Sequence, residues 1–489
     1  MSANTFSISS YHDVKEIYQK LKQLINQPIR PVKREQMESY LKFFEDECQT
    51  SKKMIEEAQS FIPGGVQHNL AFNYPFPLVF TKAEGAYLYD ADGHQYIDFL
   101  QAGGPTVLGS NYPAVKEKAL ETIKECGPST GLFHEYELKI AEFICKNFKV
   151  VDKFRMLGSG TEAVMAAIRV ARLATGNKKV IKVGGAYHGW SDQMVYGMRI
   201  PGTGRFEAHG IPRSCSKHTQ EVKPNNIATL EHKLKMNRLR GGTAAVIVEP
   251  IGPESGTRPV EFDYNAKVQA LCKKYGALFI FDEVVTAFRV GISGAQGYYN
   301  VEPDLTVFGK VVAGGYPSAG GLGGKDEYMA YLAAGLQGAK KRAMVGGTMA
   351  ANPLSSAAGY YTLLEIEKNN ACEKAGRAGD RLTKGLQELI TKYNLPFVAY
   401  NQGSVCHLET SATMFVEVNL KKPWTLPKAL KEIKSRKHMM EEMGAAYMAE
   451  GLVTLAGSRM YTSMADTDEV IDDALVRFER VFKHIEGVD

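Results

Sequence analysis

The chain has 489 residues, with 59 Lys and Arg against 54 Asp and Glu, and 44% of its residues are hydrophobic. This length allows two or three domains with a sizeable core each, and it excludes a small module held together by disulfides or a metal. The near balance of charge predicts binding neither to nucleic acid nor to a membrane surface.

The seven cysteines are scattered, without a Cys-x-x-Cys pair or a Cys/His group at zinc spacing. We therefore expect reduced thiols and no metal site. The amino terminus lacks the apolar segment of a secretory signal, and no apolar run approaches the roughly 18 residues of a membrane span. Together these features predict a cytoplasmic protein.

Residues 1–62 have the pattern of amphipathic helices and form a predicted N-terminal arm, whose last helix, about residues 51–61, stops before Pro63. Next, three short alternating segments around a tight turn predict a small antiparallel sheet. These segments are Leu78–Thr81, Ala86–Tyr89 and Tyr96–Phe99. We assign residues 63–105 to the first part of a small domain.

From about residue 106, helical stretches alternate with short β-branched or aromatic runs, which is typical of a parallel sheet with crossover helices. The clearest strand candidates are 180–183, 244–248, 277–281 and 305–308. A helical segment at 263–275 ends at Gly276, which is a common residue at a helix C-terminus. We assign residues 106–360 to a large α/β domain.

Residues 361–489 are predicted to complete the small domain. This part of the chain is helical and charged, has a strand-like segment at 414–418, and ends in an amphipathic helix from about Asp466.

A glycine turn between an apolar run and a helix, Gly158–Ala163, predicts a phosphate site. Backbone N–H groups at the helix start, with the hydroxyls of Ser159 and Thr161, suit a phosphate group. The same turn also fits a dinucleotide fingerprint, but the next strand ends in glycines instead of the acid that holds a ribose. A structural turn without a ligand remains open. The segment 319–326 is not a Walker loop, because it lacks the leading glycine and the Ser or Thr after Lys325.

Three further groups follow predicted strands: Tyr187, the acid pair Asp282 and Glu283, and Lys310. Strand ends of a parallel sheet meet at one edge, where ligands bind. One of the two acids must face inward, and a buried carboxylate requires a cationic or proton-donating partner. Phosphate loop, stacking ring, acid and lysine together suit pyridoxal phosphate, which needs a lysine for an imine and an acid beside its ring nitrogen.

The chain resembles the class III aminotransferases of the fold-type I pyridoxal-phosphate group, and most closely the branch that contains glutamate-1-semialdehyde 2,1-aminomutase and β-amino-acid aminotransferases. The resemblance covers about residues 55–480 and implies a large domain with a mostly parallel sheet, plus a smaller α+β domain from the N- and C-terminal segments. It rests on a series of motifs in a fixed order: Ile62–Val66, Gly158–Ala163, Ala186–Gly189, Val248–Pro250, Phe281–Val284, Phe288–Arg289, Pro303–Thr306, Gly309–Lys310, Gly347–Thr348 and Asn352–Pro353.

The resemblance also implies roles for individual residues. Lys310 looks like the Schiff-base lysine and Asp282 like the partner of the pyridine nitrogen. The other cofactor-binding residues implied are Ser159, Gly160 and Thr161 at the phosphate, Tyr187 and Val284 on the two ring faces, Glu249, and Thr348 toward the phosphate of a neighbouring subunit. The family implies a homodimer with shared active sites.

The substrate loop departs from its relatives, which commonly carry an arginine shortly after Pro-Gly-Gly. Here Val66–Phe72 contains none, so either another basic residue holds the substrate carboxylate or the substrate has no carboxylate at that place. Gln67 and His68 are the candidate substrate residues. We expect an aminotransferase that moves an amino group from an amino compound, possibly a β- or ω-amino compound, to a keto or aldehyde acceptor in a ping-pong cycle. The alternatives are an intramolecular aminomutase, an amino-acid epimerase, and a non-catalytic ligand-binding protein on the same fold.

Overall fold

The computed structural model describes residues 6–128, 130–335, 341–418 and 423–488. The helices in this part of the chain are α1 Val14–Ile25, α2 Arg34–Glu47, α3 Gln49–Ala58, α4 Pro113–Cys126, α5 Glu135–Asn147, α6 Gly160–Thr175, α7 Arg213–Ser216, α8 Ile227–Arg238, α9 Tyr264–Tyr275, α10 Gly294–Tyr299, α11 Asp326–Met329, α12 Pro353–Asn369, α13 Ala371–Lys392, α14 Leu426–Ala449 and α15 Asp468–Phe482. The strands are β1 Phe80–Glu84, β2 Tyr87–Asp90, β3 Gln95–Asp98, β4 Lys153–Leu157, β5 Lys179–Val183, β6 Thr219–Val222, β7 Thr243–Val248, β8 Leu278–Asp282, β9 Leu305–Gly309, β10 Gly320–Gly324, β11 Val398–Gln402, β12 Val405–Glu409, β13 Leu452–Val453 and β14 Arg459–Tyr461.

The chain forms two compact units. The large unit is built around Pro113–Cys372. The small unit combines Ser7–Tyr112, Glu373–Glu417 and the described residues from Trp424 onward. An α/β unit with a second unit from both ends of the chain matches the predicted fold class. The four-part division at residues 62, 105 and 360 stays a prediction.

The large unit has a seven-stranded sheet in the order β4-β10-β9-β8-β7-β5-β6. Only β10 runs antiparallel to its neighbours, so β4 through β9 all run in one direction. The carboxyl ends of β4, β5, β7, β8 and β9 therefore share one edge of the sheet. Strand β7 is buried along its whole length, as expected for a parallel sheet covered on both faces.

Strand β10 has the sequence Gly-Gly-Leu-Gly-Gly and consists almost entirely of backbone. A methyl group added at Gly320 would overlap the backbone of Ser159, and one at Gly321 would overlap the ring of Phe154. At Gly323 the added carbon would lie 2.7 Å from a methyl group of Val151. Backbone and side-chain atoms of neighbouring segments thus fill the space in which side chains of β10 would lie. Strand β10 lies within the segment 319–326, for which the sequence analysis ruled out a Walker loop.

The apolar runs identified in the sequence form strands β5, β7, β8 and β9, with bounds that differ by one residue at either end. Helix α9 ends at Gly276, whose φ of 67° is the left-handed conformation that glycine adopts without strain. The apolar face of α6 packs on the sheet through Val164, Ile168 and Ala171. These predictions are confirmed.

The small unit contains a four-stranded sheet in the order β1-β2-β3-β13 and a three-stranded antiparallel sheet in the order β11-β12-β14. The predicted small sheet is confirmed, with β13 added in parallel beside β3. Helix α2 buries Met37, Tyr40 and Phe44 in the core of this unit. Part of the predicted N-terminal arm is thus integral to the small unit.

The strand predicted at 414–418 is wrong, because Thr413–Phe415 is a short 3-10 helix. The chain leaves β12 through Ala412, whose φ of 51° turns the backbone away from the sheet. Arg436 then fixes the turn by donating to the carbonyl oxygen of Ser411 at 2.7 Å. Within the described residues, no helix combines the length and apolar character that a bilayer span requires.

Candidate active site

The predicted phosphate loop connects β4 to α6 at the carboxyl edge of the large sheet. The Ser159 hydroxyl caps the helix by accepting the Glu162 N–H at 3.2 Å, and the Glu162 carboxylate accepts the Gly158 N–H at 2.9 Å. The N–H groups of Gly160 and Thr161 belong to the first helical turn, which has no intrahelical acceptors. They give the loop the donors and the positive helix end that a phosphate requires.

Three glycines allow neighbouring segments to pack closely beside this loop, because there is no room for a side chain at their positions. A methyl group at Gly160 would lie 2.8 Å from Val284, and one at Gly309 would also lie 2.8 Å from Val284. A methyl group at Gly189 would collide with Thr161. The side chain of Val284 is therefore held between the start of α6 and the end of β9, next to the phosphate loop.

Asp282 ends β8 and is buried, with its carboxylate oriented by two contacts. Its Oδ2 lies 2.6 Å from Nδ1 of His188, and its Oδ1 accepts the Val284 N–H at 3.2 Å. Burial lowers the pKa of His188, although the bond to Asp282 and its charge act in the opposite direction. A neutral imidazole that donates from Nδ1 fits this balance.

The Asp282 carboxylate has no Lys or Arg within 4 Å among the residues that the structure describes, and His188 is its only ion-pair partner there. A buried negative charge beside a neutral histidine favours a further cationic partner. The protonated ring nitrogen of pyridoxal phosphate would supply that charge, and the phosphate loop lies at the same sheet edge. The residues present therefore fit this cofactor.

Glu249 follows β7 and organises the loop that carries Tyr187. Its Oε1 accepts the N–H groups of Tyr187 at 2.8 Å and Glu254 at 2.7 Å, while Oε2 accepts the N–H and hydroxyl of Ser255. Burial, followed by the charge of Asp282, raises its pKa to about 7. Tyr187 remains 47% exposed. Glu249 thus holds the backbone of Tyr187 and leaves its ring available for stacking.

Lys182 lies inside the apolar strand β5 and is fully buried. Its Nζ donates to the carbonyl oxygens of Ala186 at 2.9 Å and Met194 at 3.3 Å. Burial lowers its pKa to about 8, against the charges of Glu249 and other nearby acids. Lys182 therefore supports the turn that leads to Tyr187 and His188.

Both acids after the apolar run of β8 are buried, but they face different groups. Glu283 accepts the Thr286 hydroxyl at 2.7 Å and the N–H groups of Ala295 at 2.8 Å and Gln296 at 2.9 Å. Its carboxylate thus anchors the start of α10, whereas the carboxylate of Asp282 meets His188. Burial raises the pKa of Glu283.

Lys310 directly follows β9, next to the strand that ends in Asp282. Its side chain is half-buried, and its φ of 49° places an L-residue in the left-handed region. This conformation is sparsely populated for residues other than glycine and costs about 1 kcal/mol. The fold thus holds this lysine in a strained backbone position at the sheet edge.

Thr348 is exposed in the loop before α12. A cavity of about 340 Å³ is lined by Leu157 and by Gly346 and Gly347, so this loop lies close to the end of β4. Its predicted contact with a neighbouring subunit stays a prediction.

In the small unit, Gln67 and His68 are exposed, and Nδ1 of His68 accepts the Leu70 N–H at 3.0 Å.

The sequence analysis did not predict the roles of two residues at this site, His188 and Lys182. His188 matched a motif, but its contact with Asp282 depends on two loops that are distant in the sequence. Lys182 had a detectable signal, because a lysine interrupts an otherwise apolar run in a strand predicted to be buried.

The sequence matches the family model described as "Aminotransferase class-III" over residues 70–482. Glutamate-1-semialdehyde 2,1-aminomutase from Legionella pneumophila (strain Corby) is 39% identical over 360 residues, which cover 73% of this chain and 82% of that protein. The chain belongs to the class III aminotransferase family. Pyridoxal-phosphate dependence, an aminotransferase-type enzyme and the family resemblance are thereby confirmed.

Solved structures agree with the fold. An omega-transaminase from Sphaerobacter thermophilus has a TM-score of 0.78 and 24% identity, covering 90% of this chain and 99% of that chain. A glutamate-1-semialdehyde aminomutase from Pseudomonas aeruginosa PAO1 has a TM-score of 0.78 and 21% identity, covering 96% and 99%. A β-phenylalanine aminotransferase from Variovorax paradoxus has a TM-score of 0.76 and 24% identity, covering 95% and 97%. The predicted fold class is confirmed.

Proposed function

We propose that the enzyme moves an amino group between an amino compound and a keto or aldehyde acceptor, in two half-reactions at the edge of the large sheet. The observation that carries this proposal is the arrangement of two neighbouring strand ends. Strand β8 ends in the buried Asp282, oriented by His188 at 2.6 Å, and strand β9 leads directly into Lys310. An acid and a lysine so placed suit the ring nitrogen and the aldehyde of the cofactor.

When bound, pyridoxal phosphate supplies an electron sink that eases removal of the proton next to the amino group. Each residue then has a defined task. Asp282 would keep the ring nitrogen protonated through its charge, and the Nζ of Lys310 would attach the cofactor and move the substrate proton. Ser159, Gly160 and Thr161 would hold the phosphate, and Tyr187 and Val284 would contact the ring.

An intramolecular aminomutase is the second candidate, and it is favoured by the 39% identity to the Legionella aminomutase. The substrate loop speaks against glutamate-1-semialdehyde as the substrate, because Val66–Phe72 offers no arginine for its carboxylate. The polar side chains of this loop are Gln67, His68 and Asn69, and we take Gln67 and His68 as the candidate substrate residues. A substrate without a carboxylate at this place fits the loop better.

An absorbance experiment separates the two candidates. The purified holoenzyme is mixed with α-, β- and ω-amino compounds one at a time, without an acceptor. Conversion of the visible cofactor band to a near-ultraviolet band identifies an amino donor, and parallel double-reciprocal plots with an acceptor then establish a ping-pong aminotransferase. If the enzyme isomerised glutamate-1-semialdehyde and no amino compound of the panel converted the visible band, the aminomutase would be established instead.

Lys310→Ala is the matched variant for this experiment. We expect it to lose the visible band and at least about 1,000-fold in turnover, because covalent attachment and proton transfer depend on the same amine. Retention of both would refute the assignment of the lysine.

We also propose a cytoplasmic homodimer. Its location is supported by seven cysteines that are all free thiols. The assembly is supported by exposed apolar side chains in the large unit, above all Leu132, Phe133 and Met344. Thr348 would then reach the phosphate of the partner subunit.

A further inference from the structure

Three potential metal ligands meet in the small unit, whereas every predicted cofactor-binding residue lies in the large unit. The ligand atoms of Cys48, Asp90 and His94 all lie within 4.8 Å of one another. Cys48 and Asp90 are buried, while the side chain of His94 is 31% exposed. The cluster is thus enclosed on the protein side and reachable from solvent through the imidazole.

The backbone fixes each of the three residues. Cys48 is the corner residue between α2 and α3 and serves as the C-cap of one helix and the N-cap of the other. Asp90 ends β2, and His94 precedes β3 across a tight turn. Two helices and a hairpin therefore converge on one point, and little chain movement is needed to bring the ligands together.

The carboxylate of Asp90 is oriented like a metal ligand that has its own supporting contacts. Its Oδ1 accepts the N–H groups of Asp92 at 3.0 Å and His94 at 2.8 Å. Its Oδ2 accepts the Tyr96 hydroxyl at 2.8 Å and lies 3.0 Å from Nδ1 of His94. The bonds from the two backbone N–H groups and from Tyr96 are of the kind that hold ligands in place around bound metals, while the contact with His94 joins two of the proposed ligands.

None of these contacts of the Asp90 carboxylate comes from a permanently charged side chain. Among the described residues, no Lys or Arg lies within 4 Å of the Asp90 carboxylate, and His94 is its only ion-pair partner. A buried carboxylate with a thiol and an imidazole beside it favours a bound cation. The donor set itself indicates which cation, because thiolate, imidazole and carboxylate together are typical of zinc.

We propose that Cys48, Asp90 and His94 bind a zinc ion through three protein ligands, with water in the fourth position. A tetrahedral zinc with one sulfur ligand and two nitrogen or oxygen ligands has ligand-to-ligand distances of about 3.3–3.6 Å. The cluster, whose ligand atoms lie within 4.8 Å of one another, therefore needs a contraction of about 1.5 Å at most. Binding forms a Zn–S bond and releases the thiol proton of Cys48 to solvent.

The zinc would join the N-terminal helices to the hairpin of the small unit. Asp92, in the same turn, already caps α3 by accepting the N–H groups of Thr50 at 2.7 Å and Ser51 at 3.1 Å. The metal would strengthen this connection by linking the helix corner to both ends of the turn. The sequence offered no zinc motif because the fold, and not the local spacing, brings Cys48 to the turn at residues 90–94.

Metal titration of the full-length chain tests the proposal without reference to catalysis. The protein is dialysed against a chelator and titrated with Co²⁺ and then Zn²⁺. We expect about one Co²⁺ per chain, with a thiolate-to-cobalt absorption band that Zn²⁺ abolishes, and a Zn²⁺-dependent rise in Tm. Absence of the thiolate band in the native chain would overturn the proposal.

Two variants and a control show which residues give rise to the thiolate-to-cobalt band. Cys48→Ser should lose the band, and His94→Gln should bind Zn²⁺ at least about 100-fold more weakly. Cys145→Ser removes a partly exposed thiol elsewhere and should change neither. A band that survives in Cys48→Ser, or an unchanged Zn²⁺ affinity in His94→Gln, would show that other residues bind the metal. If Cys48→Ser does not fold, the native titration and His94→Gln decide.

Discussion

Asp282 and Glu283 are adjacent buried acids with different partners, and this difference makes their substitutions distinguishable. Asp282→Asn keeps the shape of the side chain but removes the charge that would hold the ring nitrogen protonated. We expect turnover to fall at least about 100-fold, while Tm stays close to that of the native enzyme, because His188 can change tautomer and accept from the new amide. Single-turnover kinetics with a saturating amino donor measure the loss.

Glu283→Gln is the matched control. Both oxygens of Glu283 accept N–H or O–H donors, so an amide nitrogen in either place would face a donor. We expect a loss of about 1–3 kcal/mol in stability with the per-site turnover of folded enzyme retained. If the two variants lost turnover equally, the distinct role of Asp282 would be disproved.

The raised pKa of Glu249 predicts a pH dependence of stability. Its pKa is about 7 in the folded chain, against an ordinary value of 4.5. Between these values the unfolded chain has released the proton while the folded chain still holds it, so this group makes stability fall as pH rises from about 4.5 to about 7. The contribution is on the order of 3 kcal/mol.

Glu249→Gln removes this titration. The Tm difference between native enzyme and variant should therefore shrink as pH rises across that window, and calorimetry at several pH values measures it. A Tm difference that stays constant from pH 4.5 to 7 would contradict the assignment.

At the scale of single residues, the sequence predicted that Asp282 and Lys310 stand at the ends of apolar strands, and the structure has them there. Their catalytic roles stay predictions. The sequence did not predict His188 as the partner of Asp282 or Glu249 as the support of Tyr187. Both contacts join residues more than sixty positions apart, and periodicity carries no information about such pairs.

Between elements, the close approach of α6, β8 and β9 depends on Gly160 and Gly309. Gly160→Ala would place a methyl group 2.8 Å from Val284 and displace the start of α6 from the phosphate position. We expect the dissociation constant of pyridoxal phosphate to rise at least about 10-fold. Spectrophotometric titration of the apoenzyme measures this constant.

A second substitution and a control test whether steric overlap with Val284 causes the loss of cofactor affinity in Gly160→Ala. Val284→Ala should restore part of the affinity in the double variant, since it removes the methyl groups that meet the new side chain. Gly176→Ala, at the other end of α6, has free space but a φ of 68°. It should cost about 1 kcal/mol in stability and leave cofactor affinity unchanged. Because Val284 is itself assigned to the cofactor site, the Val284→Ala single variant is the reference. If Gly160→Ala weakened cofactor binding equally with and without Val284→Ala, the steric explanation would be excluded.

Elements with a strong apolar pattern could be predicted from the sequence. Elements that depend on neighbouring strands or on a distant turn could not. Strands β5, β7, β8 and β9 follow their apolar runs closely. Strand β10 escaped recognition because glycine has low strand propensity, and only its neighbours make it a strand. The segment 414–418 had the alternation of a strand, but the left-handed turn at Ala412 diverted it.

For the whole molecule, we expect a particle with twice the 53.9 kDa mass of the chain in light scattering after gel filtration. The side chains of Leu132 and Phe133 are 78% and 76% exposed in the single chain, which suits burial in a subunit interface. Leu132→Asp combined with Phe133→Asp should yield monomers with weakened cofactor binding, because the partner's contribution at Thr348 would be lost.

Leu239→Asp changes an equally exposed leucine at the end of α8 and is the control. It should leave the dimer intact. A monomeric native enzyme, or dissociation by the control substitution alone, would refute the proposed interface.

The backbone-only strand β10 has a consequence for how this enzyme can change over evolutionary time. Four of its five positions have no room for even the smallest side chain. Most proteins vary by exchanging one core residue for another of similar volume, and this strand lacks that freedom. A library of all single substitutions should therefore show a run of intolerant codons at 320, 321, 323 and 324. New specificities would have to arise in the loops at the carboxyl ends of the strands, since β10, the second strand of the sheet, cannot accept new side chains.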